Sequence, residues 1–174
     1  RESMILREMK HLSIVNFKGI NFQSLLDPQK LEPSIFIDYM PNSSLKDILN
    51  KERLSYAPMN QNPTKKYINH YWIANAMRHL HANNIIHRDI KPENVVLDNN
   101  YFPCICDFSL SKFLPKPMEN SLHFSLTAKV GTHFYMSPEL LRGENNYNSS
   151  VYVYSFAILA YEIMTKLKNH LFFG

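Results

Sequence analysis

Apolar and polar positions alternate along this chain with periods that change from segment to segment. Over residues 1–10, Met4, Ile5 and Met9, continued by Leu12, share one side, with Glu2, Arg7, Glu8 and Lys10 largely opposite. That spacing predicts an amphipathic helix. Phe17 to Leu26 and Ile35 to Tyr39 predict two strands joined by the polar turn Asp27-Pro28-Gln29-Lys30. Ser43 to Leu49 starts a short helix, with serine as its cap. Tyr56 to Pro63 reads as a polar loop whose final Asn62-Pro63 supplies a cap and a first helical turn. Thr64 to Ala82 is the long helix, with Ile73, Met77 and Leu80 on one stripe and Ala74 and Ala76 easing close packing. Asn83-Asn84 stops it, because asparagine tolerates the left-handed conformation at helix ends. Such a stripe is core packing, not a cofactor box.

Beyond that helix the apolar runs shorten to Ile85-Ile86 and Val95-Val96-Leu97, the pattern of short buried strands. Between them lies His87-Arg88-Asp89-Ile90-Lys91-Pro92-Glu93-Asn94, an acid, bases and a carboxamide in one segment stiffened by proline. Asp89 and Asn94 can address two sides of one bound group, and a second acid follows in Asp107-Phe108-Ser109. Carboxylates and an amide held on buried strands suit a divalent cation and a polyphosphate. Residues 109–137 are polar and turn-rich without a strong period, which marks a functional or mobile segment. Val151 to Thr165, capped by Ser149 or Ser150, is apolar nearly all round and predicts a buried helix.

Composition narrows the classes. A chain of 174 residues fits one domain, and 45% hydrophobic with 13% aromatic residues argues against disorder. The net charge of +4 is mild and the longest basic run is Lys65-Lys66, so neither a nucleic-acid nor a membrane-surface footprint is indicated. The apolar run Val151 to Tyr161 is too short to cross a bilayer, and no secretory signal is visible. Cys104 and Cys106 alternate on a strand, point to one face and cannot bond each other; reduced thiols suit a cytoplasmic setting. His79, His81 and His87 lack a metal-ligand spacing. The start at Arg1, inside a helical pattern, leads us to expect a partial domain.

The loop resembles the catalytic loop of eukaryotic protein kinases, His-Arg-Asp-x-x-x-x-Asn. Asp107-Phe108-Ser109 resembles that family's Asp-Phe-Gly and Ser137-Pro138-Glu139 its Ala-Pro-Glu, in the family's order. The resemblance implies an α+β, two-lobe fold, truncated: residues 1–39 a remnant of the small β lobe with helix αC, and 40–174 an incomplete, mainly helical large lobe. It implies ATP and Mg2+ as cofactors, a protein substrate and regulatory protein partners. By it, Asp89 orients the substrate hydroxyl and takes its proton, and Lys91 neutralises the transferring phosphate. Asn94 and Asp107 hold magnesium. Lys91 with Thr132 resembles serine/threonine enzymes, and Phe134-Tyr135-Met136 their tyrosine-kinase-like group. Ile37, Asp38, Met40 and Val96 would surround the adenine, and Glu2 stands where a glutamate pairs with a strand lysine. His87 and Phe108 would be packing residues. Arg88 resembles the arginine that binds a phosphorylated activation segment, with Ser125 and Thr127 as candidate phosphosites.

The chain departs from the pattern in several places. No glycine-rich loop or strand lysine is present, a loss expected to cost about 10²–10⁴ in rate. Ser109 replaces a glycine, Tyr152 an aspartate and Ala157 a glycine. Two readings follow: an ATP-dependent protein serine/threonine kinase domain, or a pseudokinase-like scaffold that binds partners without catalysis.

Overall fold

The computed structural model describes residues 2–24, 26–27, 29–54, 63–114, 124–125, 131–143, 146–147 and 150–166. Helix α1 (Glu2–Glu8) buries Ile5 and Leu6, with Met9 just beyond it. The expected stripe is therefore corrected: Met4 is 65% and Leu12 79% exposed. Met4 lies roughly 200° around the helix from Leu6. Leu12 sits past the helix end in a turn where the His11 ring accepts the Ser13 N–H.

Strand β1 (Phe17–Asn21) pairs antiparallel with β2 (Ser34–Ile37), with an irregularity between Phe17 and Gly19. Both strands are shorter than expected. After Asn21 the chain turns, because Asn21 Oδ1 accepts the Gln23 N–H and Ser24 Oγ accepts the N–H groups of Leu26 and Asp27. Local side-chain bonds of this kind compete with a strand ladder.

Helix α2 (Leu45–Leu54) starts within the predicted segment. Ser44 Oγ accepts the Asp47 N–H while Asp47 Oδ2 accepts the Ser44 N–H, each at 3.2 Å, a reciprocal cap. Helix α3 (Pro63–Ala82) buries Ile73, Ala76, Met77 and Leu80. It ends where expected: Asn84 takes φ +56° and Asn83 Nδ2 donates to the His79 carbonyl. Next come β3 (Ile85–Ile86), β4 (Val95–Leu97), β5 (Pro103–Ile105) and β6 (Lys112–Phe113). Antiparallel pairing joins β3 to β6 and β4 to β5. Strand β7 (Phe124–Ser125) and helix α4 (Pro138–Leu141) precede β8 (Asn146–Tyr147), which pairs with β7.

Helix α5 (Ser150–Thr165) buries Val151, Tyr152, Ser155, Ile158, Leu159, Glu162 and Ile163. Its all-round apolar sequence overstates that burial, since Val153 remains 58% exposed. Among the described residues, neighbours cover one side of the helix. The core is one cluster drawn from α1, α2, α3, the β3–β5 strands and α5. This is the expected α+β class, a small sheet followed by a mainly helical portion. Among the described residues no helix is long and apolar enough to cross a membrane.

Candidate active site

The polar loop between β3 and β4 is anchored by side chains with almost no exposure: Ile86, Ile90 and Val95 are each 1% exposed or less. His87 is buried at 3%. Its Nδ1 accepts the Asp89 N–H and its Nε2 therefore donates to the Cys106 carbonyl at 2.9 Å. Burial holds its pKa below the usual histidine value, so the ring stays neutral. Phe108, fully buried, meets that ring edge-on at 4.9 Å. Both residues pack, as the resemblance implies.

Asp89 is 6% exposed and gathers the rest of the loop around its carboxylate. Oδ2 meets Lys91 Nζ at 2.6 Å and Asn94 Nδ2 at 2.9 Å. Oδ1 accepts the Thr132 N–H at 3.0 Å and its hydroxyl at 2.8 Å. Lys91 also donates to Thr132 Oγ1 at 2.8 Å. Burial pushes the Asp89 pKa up, but bonds from Lys91, Thr132 and Asn94 outweigh it and hold the group below its ordinary value. The chain can approach this closely because residue 131 is glycine. Gly131 has φ +124°, and a Cβ there would stand 2.5 Å from the Arg88 carbonyl oxygen.

Asn94 bonds Asp89 through Nδ2 alone, which leaves Oδ1 as a hard oxygen. The Cys106 N–H donates to the Asn94 carbonyl at 3.0 Å, extending the β4–β5 ladder and carrying Asp107 to the same end of it. Asp107 is exposed, with φ +59°. Its Oδ1 accepts the Ser109 N–H at 3.2 Å and the Ser109 hydroxyl at 2.6 Å. Among the described residues no three carboxylates, histidines or cysteines cluster as metal ligands. An amide oxygen and one carboxylate fit magnesium, which keeps waters and takes its other ligands from phosphates.

A cavity of about 400 Å³ is lined by the run Ile35 to Met40 with Val96 and Cys106. Ile37, Asp38, Met40 and Val96 thus all face one space, although the Asp38 carboxylate is 2.7 Å from Lys18 Nζ. Burial raises the Cys106 thiol pKa to about 12, so it stays protonated. Glu2 does not line this cavity; its Oε1 accepts the Phe108 N–H at 3.1 Å, tying α1 to the Asp107 segment. Arg88, at φ +70°, donates from Nε to the Leu110 carbonyl, and its buried Nη1 has no hydrogen-bond partner among the described residues. Ser125 falls in β7. Thr127 lies outside the described residues.

Sequence reasoning missed the buried Glu162. Its Oε1 accepts from Arg53 Nη2 at 2.6 Å and its Oε2 from the Tyr135 hydroxyl at 2.5 Å. Ser155 Oγ donates to the Tyr135 carbonyl at 2.6 Å. This joins α2 and α5 to the 3₁₀ turn His133–Tyr135 that follows Thr132. The available signal was one carboxylate inside an apolar helix, since such a charge must find a partner.

The description "Protein kinase domain" matches residues 1–172 of the chain. Serine/threonine kinase NLK of Caenorhabditis elegans is 32% identical over 93% of this chain and 25% of its own length. Cysteine-rich receptor-like protein kinase 10 of Oryza sativa subsp. japonica is 34% identical over 97% of the chain and 24% of its length. Serine/threonine-protein kinase CTR1 of Arabidopsis thaliana is 33% identical over 95% of the chain and 18% of its length. The chain spans a quarter or less of these relatives. With the family match running through the loop, the Asp107 segment and the Ser137-Pro138-Glu139 turn, the chain belongs to the protein kinase domain family.

Proposed function

We propose that this chain carries the phosphoryl-transfer centre of a protein serine/threonine kinase, moving the γ-phosphoryl of ATP to a hydroxyl of a protein substrate. The observation that carries the reading is the Asp89 carboxylate, bonded at once by Lys91, Thr132 and Asn94. A base for a weakly acidic hydroxyl must be placed before it can act, and phosphoryl transfer depends on positioning more than on covalent help. Bound magnesium–ATP supplies the transferable group. Asp89 receives the hydroxyl proton as the new O–P bond forms and the bond to the ADP oxygen breaks. Lys91 lies 2.6 Å from Asp89, close enough to balance charge on the phosphoryl in transit. Asn94 Oδ1 and Asp107 would hold the metal, while Ile37, Met40 and Val96 would receive the adenine with hinge residue Asp38.

Glu2 acts through the Phe108 backbone it already holds, and Arg88 Nη1 is the donor for a phosphorylated Ser125 or Thr127. The small-lobe portion is residues 1–39 and the large-lobe portion 40–174. The serine/threonine type follows from the Lys91–Thr132 bond and the relatives' names. A cytoplasmic location agrees with the free thiols of Cys104 and Cys106. A second reading, a pseudokinase-like scaffold, is favoured by one contact: Ser109 occupies Asp107 Oδ1 with both its N–H and its hydroxyl.

Phosphate transfer to a protein substrate, measured in the full-length protein with magnesium, decides between them. Asp89→Ala is expected to lower turnover by about 10²–10⁴ while ATP binding survives. Turnover undiminished by Asp89→Ala removes the assigned role. Absent turnover with intact folding, not rescued by Ser109→Gly, favours the scaffold.

A further inference from the structure

A second cavity, of about 380 Å³, opens between α2, α3, the turn joining β4 to β5, and α5, away from Asp89. Its walls are apolar at Leu49, Leu97, Phe102 and Ile163, and its rim carries Lys65 and Lys66. The charges around it do not cancel. Glu52 is also in the wall; burial pushes its pKa up, against the combined pull of Lys166, Lys66, Arg53 and Lys65. Lys166 lies 3.8 Å from Glu52, and Arg53 is engaged by Glu162. Lys66 Nζ donates to a neutral group, the Met164 carbonyl, at 2.7 Å. Lys65 Nζ stands 5.7 Å over the Tyr101 ring. Among the described residues neither lysine has a carboxylate partner, so the rim holds surplus positive charge beside an apolar floor.

We propose that this cavity binds a small amphipathic anion, an aliphatic carboxylate whose chain lies on Leu49 and Phe102 and whose charged end meets Lys65 and Lys66. The volume lies within the range of small-molecule pockets, about 300–1,000 Å³. Walls converging from several elements suit a compact ligand better than an extended partner segment. Glu52 on its own would attract a cationic head and repel an anionic one; the more numerous lysines around it decide the sign.

Trp72 is the sole tryptophan of the chain, and its ring lies 5.3 Å from that of Phe102. Its fluorescence therefore reports occupancy. Decanoate, titrated below its micelle concentration, should give a saturable change. Decanol should bind about tenfold more weakly or worse, as loss of a charge-assisted bond implies, and decyltrimethylammonium should give no saturable change. Lys65→Ala with Lys66→Ala should weaken decanoate by about tenfold or more, while Lys65→Arg with Lys66→Arg retains it. Ile48→Phe, which narrows the cavity, should weaken all chains alike, with thermal melts confirming that each variant folds. A response that never saturates, equal binding of decanol and decanoate, or indifference to loss of both lysines overturns the proposal. A saturable response to a leucine- and glutamate-rich peptide with none to decanoate also overturns it, in favour of a partner segment.

Discussion

The β1–β2 ladder and the β4–β5 ladder are both two-stranded antiparallel pairs, yet they occupy opposite extremes of burial. Every residue of β5 is buried and β4 has only Val96 partly open, whereas β1 and β2 contain no buried residue. Phe36 is 43% and Ile37 41% exposed. Strand-forming residues do not by themselves bury a strand; the covering element does, and here α3 packs on β5. The functional consequence is a division of labour. The covered ladder fixes Asn94 and carries Asp107, while the open ladder lines a cavity with Ile35 and Ile37.

The sharpest way to break this contrast is to remove a buried charge on the covered side. Arg53 and Glu162 have side chains only 18% and 6% exposed. Glu162→Leu removes the acceptor of the Tyr135 hydroxyl and of Arg53 Nη2, leaving Arg53 on the neutral Asn50 side chain and Lys166 carbonyl, and urea unfolding should show a loss of about 3–5 kcal/mol. Because Tyr135 follows Thr132 so closely, turnover of the full-length protein should fall even at temperatures where the variant remains folded. Apolar truncations repeat the comparison at smaller scale. Ile105→Ala, at 0% exposure in β5, should cost about 2–5 kcal/mol. Ile20→Ala, 37% exposed in β1, should shift the unfolding midpoint by an amount worth about 0.5 kcal/mol or less. Equal losses at the two sites would mean that β1 is covered in solution.

The same contrast explains what could be read from the chain. Ile85-Ile86 and Val95-Val96-Leu97 announced the covered strands because near-complete burial leaves an unbroken apolar run. Asn83-Asn84 announced the end of α3 by local backbone preference. The strand past Asn21 was misjudged because alternation alone does not show Asn21 and Ser24 bonding their own backbone. Met4 and Leu12 were misjudged because which apolar residues face inward is set by the neighbour, not by the helix. Asp89, Asn94 and Asp107 were legible through the motif, but Glu162 needed the fold, since Arg53 is distant in sequence and adjacent only once α2 packs near α5.

Acid gives a third test. Burial lowers the pKa of His81 and His87; in His11 burial, His79 and Arg78 all act in the same direction. The unfolded chain, with histidines near about 6.5, therefore binds protons before the folded chain does. Stability is complete above that value and is lost as the pH falls from about 7 towards 5. The Asp89 contribution, whose folded pKa is depressed, is retained over that interval and lost only at lower pH. His81→Phe, which keeps a ring against Tyr152, should flatten the pH dependence of the urea midpoint. An unchanged slope would place the titrating group elsewhere.

The smallest effect belongs to the open side. Lys18 and Asp38 pair at 2.7 Å across β1 and the end of β2, but their side chains are 53% and 39% exposed. Water and salt screen a pair so placed, and exposed pairs contribute about 0–1 kcal/mol. Lys18→Ala should therefore leave the urea midpoint nearly unmoved in 0.15 M salt, where charges are screened over about 8 Å. Its effect should appear instead at the cavity, because the pair draws the Asp38 carboxylate towards β1. Freed from Lys18, Asp38 loses the bond that holds its pKa down. ATP affinity of Lys18→Ala should consequently change more than its stability does. A midpoint shift as large as that of Ile105→Ala would show that the open ladder is held as firmly as the covered one.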